Sequence, residues 1–367
     1  MADVTELEDL AAIKHFQMNN DKLLMKHLLL GLEFFQDPYV RKIMDLKSPM
    51  NLPKYVANKA WRPINTGVEN SKTPQGVFSQ RTISPKTIMK ILEIIPEQFR
   101  STYFASQLDP NAKEYPAGFA QFFWEAQNRQ GADEINDNIY YGKDPDTIPA
   151  YNSASTYVAG NIVYFTKSDT LGKQFFKANS SVSATQTPLT HASKWDDADV
   201  ECLAKGWGTI IAAEYSTLPA AQKIATGAII EATAVEQWQD YHFSLPEKLR
   251  NKTVIHFCSQ NTWDAYKLKY AATYDKDIEV VNNRGNISAY IRSTDNKGVI
   301  HPVSWMHGSG RIISGPPEML TVGTNMLSDM TSFGKQVDTL HGYKTIQKAI
   351  LAFEIADTEC LYVNDQA

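Results

Sequence analysis

Histidines are the first residues to consider for a chemical site, because imidazole binds metals and exchanges protons near neutral pH. The chain has 8 histidines, which are scattered, and it has no H-E-x-x-H segment. His301 and His307 lie six positions apart, and this spacing does not bring two metal ligands to one helical face. We therefore predict that each histidine is a hydrogen-bonded core or surface residue and that the chain has no metal site.

The glycine-rich motifs are incomplete. Gly308, Ser309 and Gly310 fail as a dinucleotide-binding loop, because Ile313 occupies the third glycine position, and they do not form G-x-S-x-G. No G-x-x-x-x-G-K-[ST] segment exists either. The sequence therefore predicts no nucleotide cofactor.

Clustered carboxylates are the remaining candidates for catalysis. Asp196, Asp197 and Asp199 could supply an acid and a base, but they follow Trp195 in a polar linker. A solvated charge run is the simpler interpretation. With no active site in view, we predict that the chain is not an enzyme.

Composition places the chain among ordinary globular proteins. Its 367 residues are 43% hydrophobic and 21% charged, enough for about two domains with sizeable cores. The net charge of −5 lacks the basic footprint of a nucleic-acid binder.

Cys202, Cys258 and Cys360 are far apart, which argues against a disulfide framework and for a reducing cytosol. Residues 1–27 do not resemble a signal peptide, and the apolar residues 28–35 are too few to span a bilayer.

Residues 245–281 carry the clearest pattern of secondary structure. A β-rich run, residues 253–257, predicts a buried strand. From Asn261, Trp263, Tyr266 and Tyr270 recur at helical spacing, and the segment returns to a strand at residues 278–281. Strand, helix and strand in about 35 residues indicate a compact α/β domain.

Further elements are predicted on either side. Residues 5–35 read as one or two amphipathic helices that pack on their own domain or on a neighbouring subunit. Residues 48–84 are rich in proline and too aromatic for a linker, so they predict an extended excursion that contacts a neighbour or forms a plain β-hairpin. We also predict strands at residues 88–93 and 349–355, and helices at residues 116–141 and 218–241. Residues 302–313 predict a strand with a turn at Gly308, Ser309 and Gly310. In the first of these helices, the buried stripe is expected to be Phe119, Phe122, Phe123 and Ala126, continued by Ile135 and Ile139.

Several of these segments resemble the major capsid proteins of tailed bacteriophages. The order LPEKLRNK, apolar strand, serine and aromatic helix resembles their capsomer-centre domain. VFSQRTISPKTIMKILEIIPEQF is similar to their extended loop and returning strand, and the helix containing FFW is similar to their spine helix. KGWGTII resembles a strand entry of the family, and PPEMLTVGTNMLSD resembles a late element in which Asn325 replaces the usual aspartate.

This resemblance covers residues 49–363, apart from one insertion, and implies an α+β fold of the tailed-phage capsid type. It implies an N-terminal arm (1–48), an extended loop with its returning strand (49–95), a peripheral domain with the spine helix (96–149), an inserted β module (150–199), a capsomer-centre domain (200–315) and C-terminal strands (316–367). The extended loop of the family contacts neighbouring subunits, which implies an inter-subunit role for Arg62, Phe78, Arg81 and Thr82.

The insertion has a pattern of its own. TYVAGNIVYF, QFFKANSS and TPLTHASKW resemble in order a small carbohydrate-binding module of chitinases, with Asn161 where that module prefers aspartate. This resemblance implies glycan stacking on Tyr157, Tyr164, Phe176 or Trp195. The same aromatic residues could instead form a miniature core, because so small a module needs most of them to fold.

The capsid resemblance implies a structural virion protein, not an enzyme, that assembles into hexamers and pentamers of an icosahedral head. Its implied partners are other copies of itself, a portal, scaffolding or decoration proteins, and enclosed double-stranded DNA; surface glycans are a further candidate, and a membrane is not. Its implied location is the virion capsid, assembled in the host bacterial cytoplasm, and no cofactor is implied. The alternative is a carbohydrate-binding protein or polysaccharide-active enzyme targeted by residues 150–199.

Overall fold

The computed structural model describes residues 24, 28–58, 76–94, 117–166, 172–278, 280–283, 286–326, 337–339 and 342–366. These residues form helices and separate β-sheets, which confirms the α+β class. The helices are α1 (Glu33–Gln36), α2 (Ala117–Tyr141), α3 (Trp207–Glu214), α4 (Ala234–Phe243), α5 (Glu247–Arg250) and α6 (Gln260–Tyr274). In the part of the chain that the structure describes, no helix could span a bilayer.

The strands fall into the three sheets and one two-stranded ribbon described below. Those of the first half are β1 (Arg41–Met44), β2 (Met50–Ala57), β3 (Gly76–Ile83), β4 (Lys86–Ile94), β5 (Ile162–Thr166), β6 (Lys173–Ala178), β7 (Trp195–Asp197) and β8 (Lys223–Ile224). Those of the second half are β9 (Val254–Cys258), β10 (Val280–Asn283), β11 (Asn286–Tyr290), β12 (Gly298–Pro302), β13 (Ile313–Gly315), β14 (Leu320–Thr324), β15 (Val337–Thr339), β16 (Gly342–Ile355) and β17 (Tyr362–Asn364).

The central sheet has seven strands in the order β10-β11-β12-β9-β13-β17-β8. Strand β9 is buried along its whole length and separates two cores. Val254 and Cys258 pack with Trp238 and Tyr266 of helices α4 and α6. Ile255 and Phe257, which alternate with them, face the larger core that the central sheet shares with helices α2 and α3 and strand β16. The predicted strand–helix–strand unit is confirmed as β9, α6 and β10.

The peripheral sheet is built around β16, a strand of 14 residues. Strands β14 and β15 pair with β16, β4 pairs with residues 343–351 of β16, and β1 runs parallel to β14. Ala349, Leu351, Phe353 and Ile355 are buried, so the predicted alternation is confirmed. The strand predicted at residues 88–93 is also confirmed, as part of β4.

Helix α2 confirms the predicted long helix and the burial of Ile135 and Ile139, but the first half of its buried face differs from the predicted stripe. The Phe119 side chain lies outside the described part of the chain. Phe122 is 53% exposed, and Ala126 is also exposed. The buried face is carried by Trp124, Ala132, Ile135 and Ile139, which recur at helical spacing against helix α3 and the N-terminal segment. The aromatic residues at the start of the helix suggested the wrong side.

Two predicted elements are wrong, and a third is confirmed in part. Of residues 205–211, which resemble a strand entry, 207–211 lie in helix α3 because Trp207, Ile210 and Ile211 bury one helical face. The helix predicted over residues 218–241 is confined to α4; upstream of it the chain pairs as β8 with β17, and Gly227 takes a left-handed conformation. The turn predicted at Gly308 is confirmed, since its φ is +73°, but the strand predicted around it is limited to the end of β12 at Pro302 and the start of β13 at Ile313.

Candidate functional site

Of the histidines that the structure describes, His191, His242, His256 and His301 make side-chain hydrogen bonds. His15, His27 and His341 lie outside the described residues. His301 is buried; its Nε2 lies 3.1 Å from Asp37 Oδ2, and its Nδ1 lies 2.9 Å from Ser288 Oγ. His307 is exposed beside Asp137. The described residues contain no group of three His, Cys, Asp or Glu side chains placed to hold a metal ion.

A second buried chain of polar groups crosses the core of the central sheet. His242 Nδ1 lies 3.1 Å from His256 Nε2, and His256 Nδ1 lies 2.7 Å from Ser314 Oγ. The Tyr241 hydroxyl lies 2.8 Å from the same Ser314 Oγ. Burial and the neighbouring Arg250 lower the pKa of His242 to about 4, and burial together with His242 lowers the pKa of His256 well below its ordinary value. Both imidazoles are therefore neutral at physiological pH.

The motifs considered for catalysis have structural contacts. Asp196, Asp197 and Asp199 are all exposed, and the Asp199 carboxylate accepts a hydrogen bond of 2.7 Å from the Phe175 backbone. Burial raises the pKa of Asp199. Ser309 is buried and accepts a hydrogen bond from the Arg311 backbone, so it stabilises the turn in which it lies.

The inserted module is a three-stranded sheet, β5-β6-β7, with a miniature core. Trp195 is only 5% exposed; its ring lies 5.4 Å from that of Tyr157, and Phe176 packs against the same cluster. The ring of Tyr164 is covered by the Lys173 ammonium group at 4.6 Å. Of the four candidate stacking residues, the structure therefore brings Tyr157, Phe176 and Trp195 together as core and places Tyr164 under a cation.

Replacing Trp195 with alanine should unfold this module. Truncation of a buried tryptophan costs about 3–5 kcal/mol, which exceeds the stability expected of so small a core. We expect the amides of residues 162–166 and 173–178 to lose protection from hydrogen exchange, while the amides of 254–258 keep it. Retained protection in the module of the Trp195→Ala variant would contradict this assignment. Ser193→Ala, at an exposed neighbouring position, is the control.

Strands β2 and β3 form an antiparallel ribbon, which we call the ribbon throughout. Because side chains alternate along a strand, it has two faces. The inner face carries the cross-strand pairs Met50–Ile83, Leu52–Arg81, Lys54–Ser79 and Val56–Val77. The outer face carries Asn51–Thr82, Pro53–Gln80, Tyr55–Phe78 and Ala57–Gly76.

The base of the ribbon packs on its own subunit through apolar side chains. Leu52 and Ile83 are buried in a small apolar cluster with Leu46 and Ala352. Gly323 lies under this cluster, and a Cβ there would come within 2.2 Å of the Leu46 side chain.

Beyond Leu52 the apolar side chains of the ribbon lie in solvent. Phe78 is 77% exposed and Val77 63%, and their partners Tyr55 and Val56 are exposed as well. The rings of Tyr55 and Phe78 lie 4.5 Å apart. Val56–Val77 and Tyr55–Phe78 lie on opposite faces, so the end of the ribbon is apolar on both sides.

The residues predicted for the inter-subunit loop have different environments. Phe78 lies at the exposed end of the ribbon, and Thr82 is exposed and donates a hydrogen bond of 2.8 Å to Asn51. Arg81 binds Glu214 and Glu354 of its own subunit. Arg62 lies outside the described residues. Sequence reasoning missed Lys54, which binds Asp357 and Glu359, because a lone lysine in a strand gives no signal of its partners.

A further exposed apolar surface lies on the peripheral sheet. Met89 and Ile91 of β4 are 65% and 55% exposed, and they point to the same face. Ile91 stands opposite Ile346 of β16, which is partly exposed.

Comparison with known proteins gave structural similarities only. No family model matches the chain, and no curated protein matches it. Among solved structures, a subunit of the satellite phage P4 procapsid is 9% identical, with a TM-score of 0.47 over 93% of this chain and 89% of that chain. The capsid of a native GTA particle is 10% identical, with a TM-score of 0.42 over 89% and 87%. The SrpI encapsulin of Synechococcus elongatus PCC 7942 is 6% identical, with a TM-score of 0.41 over 89% and 84%.

Proposed function

We propose that this chain is a major capsid protein of a tailed bacteriophage that self-assembles into hexamers and pentamers of an icosahedral head. One observation carries the proposal: the described end of the ribbon exposes apolar side chains on both of its faces. Exposed apolar groups of this size are stabilised by removal from water, at about 25 cal/mol per Å² of buried surface. The ribbon therefore requires a partner.

The partner in this proposal is a second copy of the chain. Every copy carries both a ribbon and an exposed apolar surface at Met89 and Ile91. A ribbon that packs on such a surface of the next copy makes a head-to-tail contact, and contacts of this type close into rings when the rotation permits. Rings are the capsomers that a shell requires.

We also propose the domain divisions that the sequence implies, and three groups of elements support them. The long helix α2 and strand β16 form the proposed peripheral domain, the seven-stranded sheet forms the proposed capsomer centre, and residues 150–199 form the proposed inserted module. Divisions after residues 48, 95, 149, 199 and 315 remain our proposal. With a net charge of −5, the chain would enclose double-stranded DNA without a strong basic patch. The proposal includes assembly in the host cytoplasm and contacts with portal, scaffolding or decoration proteins.

We propose that the module is a spacer or contact element on the outer surface of the shell, and that it is not a targeting module for an enzyme. Its aromatic residues are used in its own core, which leaves few rings for stacking on a glycan. A glycan-binding role would require a ring face open to solvent. Intact particles probed on a glycan array test this: we expect no binding that depends on the module.

Electron microscopy and light scattering of the expressed protein test the assembly function. We expect rings, sheets or closed shells that sediment far faster than a 41.2 kDa monomer. A monodisperse monomer at high concentration that hydrolyses chitin or peptidoglycan would overturn the proposal and favour the polysaccharide-active alternative.

Deletion of residues 150–199 should leave assembly intact. The two chain segments that flank the module are adjacent and hydrogen-bonded to each other. Gly206 N–H donates to Gly142 O at 2.9 Å, and Lys143 N–H donates to Glu201 O at 2.9 Å. A short Gly-Ser linker between residues 149 and 200 can therefore close the gap without moving the body. We expect particles of unchanged diameter and symmetry by electron microscopy. Complete loss of particles from a folded deletion variant would contradict the proposed independence of the module.

A further inference from the structure

The ribbon is attached to its own subunit by two charged contacts in addition to the apolar cluster at its base. Arg81, on β3, donates to both oxygens of Glu214 at 2.7 and 3.1 Å. It also donates to Glu354 Oε1 at 2.7 and 3.2 Å. Lys54, on β2, lies 2.8 Å from Asp357 Oδ1 and 2.6 Å from Glu359 Oε2.

The partner carboxylates belong to the rigid body of the subunit. Glu214 ends helix α3, and Glu354 is the penultimate residue of strand β16. A carboxylate at a helix C-terminus is unfavourable unless a cation lies nearby, so Glu214 depends on Arg81. Asp357 accepts a hydrogen bond from the Glu359 backbone and so shapes the turn in which both residues lie.

These ion pairs are partly removed from water. The Arg81 side chain is 26% exposed, and that of Glu354 is 16% exposed. Burial alone would lower the pKa of Arg81, but the hydrogen bonds to Glu214 and Glu354 outweigh burial and raise it. The guanidinium therefore stays charged, and loss of it would leave two carboxylates facing each other.

Both cations lie on the inner face, at the boundary between the packed and the exposed part of the ribbon. Leu52, opposite Arg81, is the last buried apolar residue of β2, and Lys54 follows it on the same face. An apolar cluster by itself is non-directional and acts as a pivot. The ion pairs of two cations on different strands, four pairs in all, restrict rotation about that pivot.

We propose that Arg81 and Lys54 are positioning residues that clamp the ribbon at two points and so hold it in one orientation. In a free subunit, the apolar end of the ribbon is therefore already oriented to bind the neighbouring copy. This inference rests on the proposed assembly function. This fixed orientation lowers the entropy cost of joining a ring, because the ribbon does not have to become ordered when the subunit binds. The clamp thus acts on the rate and accuracy of assembly.

The orientation is measured on the monomer by the distance between two spin labels. One label replaces Gln80 on the outer face of the ribbon, and the other replaces Lys348 on the exposed side of β16, with Cys360→Ser as background. We expect one narrow distance peak in the parent chain. Arg81→Ala and Lys54→Ala should each broaden it, and the double variant should broaden it most. Arg81→Lys should restore part of the narrow peak, because it restores the charge without the planar fork.

Assembly is measured on the unlabelled variants at one protein concentration. We expect Arg81→Ala to slow particle formation about tenfold. This factor corresponds to a free-energy cost of about 1.4 kcal/mol for orienting the ribbon. Gln80→Ala, which changes the preceding exposed residue on the outer face, should assemble at the parent rate. An unchanged distance peak in the double variant overturns the clamp. A parent chain that shows a narrow peak but never forms particles instead overturns the proposed function and leaves the clamp standing.

Discussion

Between pH 6.5 and about 4, the monomeric subunit is expected to lose much of its stability, because two neutral histidines are buried side by side. His242 and His256 have lowered pKa values in the folded protein, His242 to about 4. The unfolded chain therefore binds protons first as the pH falls below about 6.5. The contribution of each histidine is fully present above that pH and is lost as the pH falls towards the folded pKa. The loss is roughly 1.4 kcal/mol per histidine for each pH unit.

Urea unfolding at pH 7, 6 and 5 measures this effect. We expect the midpoint to fall steeply over these two units, since the total stability of a domain is about 5–15 kcal/mol. His242→Asn removes one titrating group and keeps a polar partner for His256. The slope of the unfolding free energy against pH should therefore correspond to about one fewer proton taken up on unfolding. His307→Asn, at an exposed histidine, is the matched control and should keep the parent slope. A parent midpoint that is flat from pH 7 to 5 would exclude the buried pair as the cause of acid sensitivity.

Elements that depend on local pattern were predictable from the sequence. The β9–α6 unit and helix α2 have long periodic stretches, and β16 has a clear alternation over its second half. Short apolar runs were not predictable in the same way: residues 207–211 satisfy both a strand and a helix, and only packing against Phe353 and Trp305 selects the helix. The buried face of helix α2 was not predictable for the same reason. Aromatic residues occur on both of its sides, and only tertiary packing determines that Trp124 is buried.

The clamp could not be predicted, because its partners are distant in the chain. Arg81 meets Glu214 after 133 residues and Glu354 after 273 residues. The resemblance pointed to Arg81 as an inter-subunit residue, and its observed partners belong to its own subunit. The carbohydrate-binding pattern had a similar outcome, since the aromatic spacing that suggests a glycan platform is also the spacing that builds the miniature core.

Aspartate at the exposed end of the ribbon should abolish assembly without unfolding the subunit. Val77 and Phe78 are 63% and 77% exposed in the monomer, so Val77→Asp and Phe78→Asp should change its stability by little more than 0.5 kcal/mol. In a ring the same side chains would be buried, and an unpaired carboxylate there costs several kcal/mol. Each 1.4 kcal/mol is about tenfold in affinity, so one aspartate should raise the concentration needed for assembly by at least about a hundredfold.

The two substitutions also test the two faces of the ribbon separately. Val77 lies on the inner face and Phe78 on the outer face, so loss of particles in both single variants shows that a neighbouring copy covers both sides. Gln80→Asp shares strand and face with Phe78 but starts from a polar residue, and it is expected to assemble at a concentration close to that of the parent. Thermal unfolding of each monomer checks that the fold is kept. A normal yield of particles from the Val77→Asp, Phe78→Asp double variant would show that the apolar end of the ribbon makes no contact in the shell. The exposed apolar end would then no longer support the proposed function.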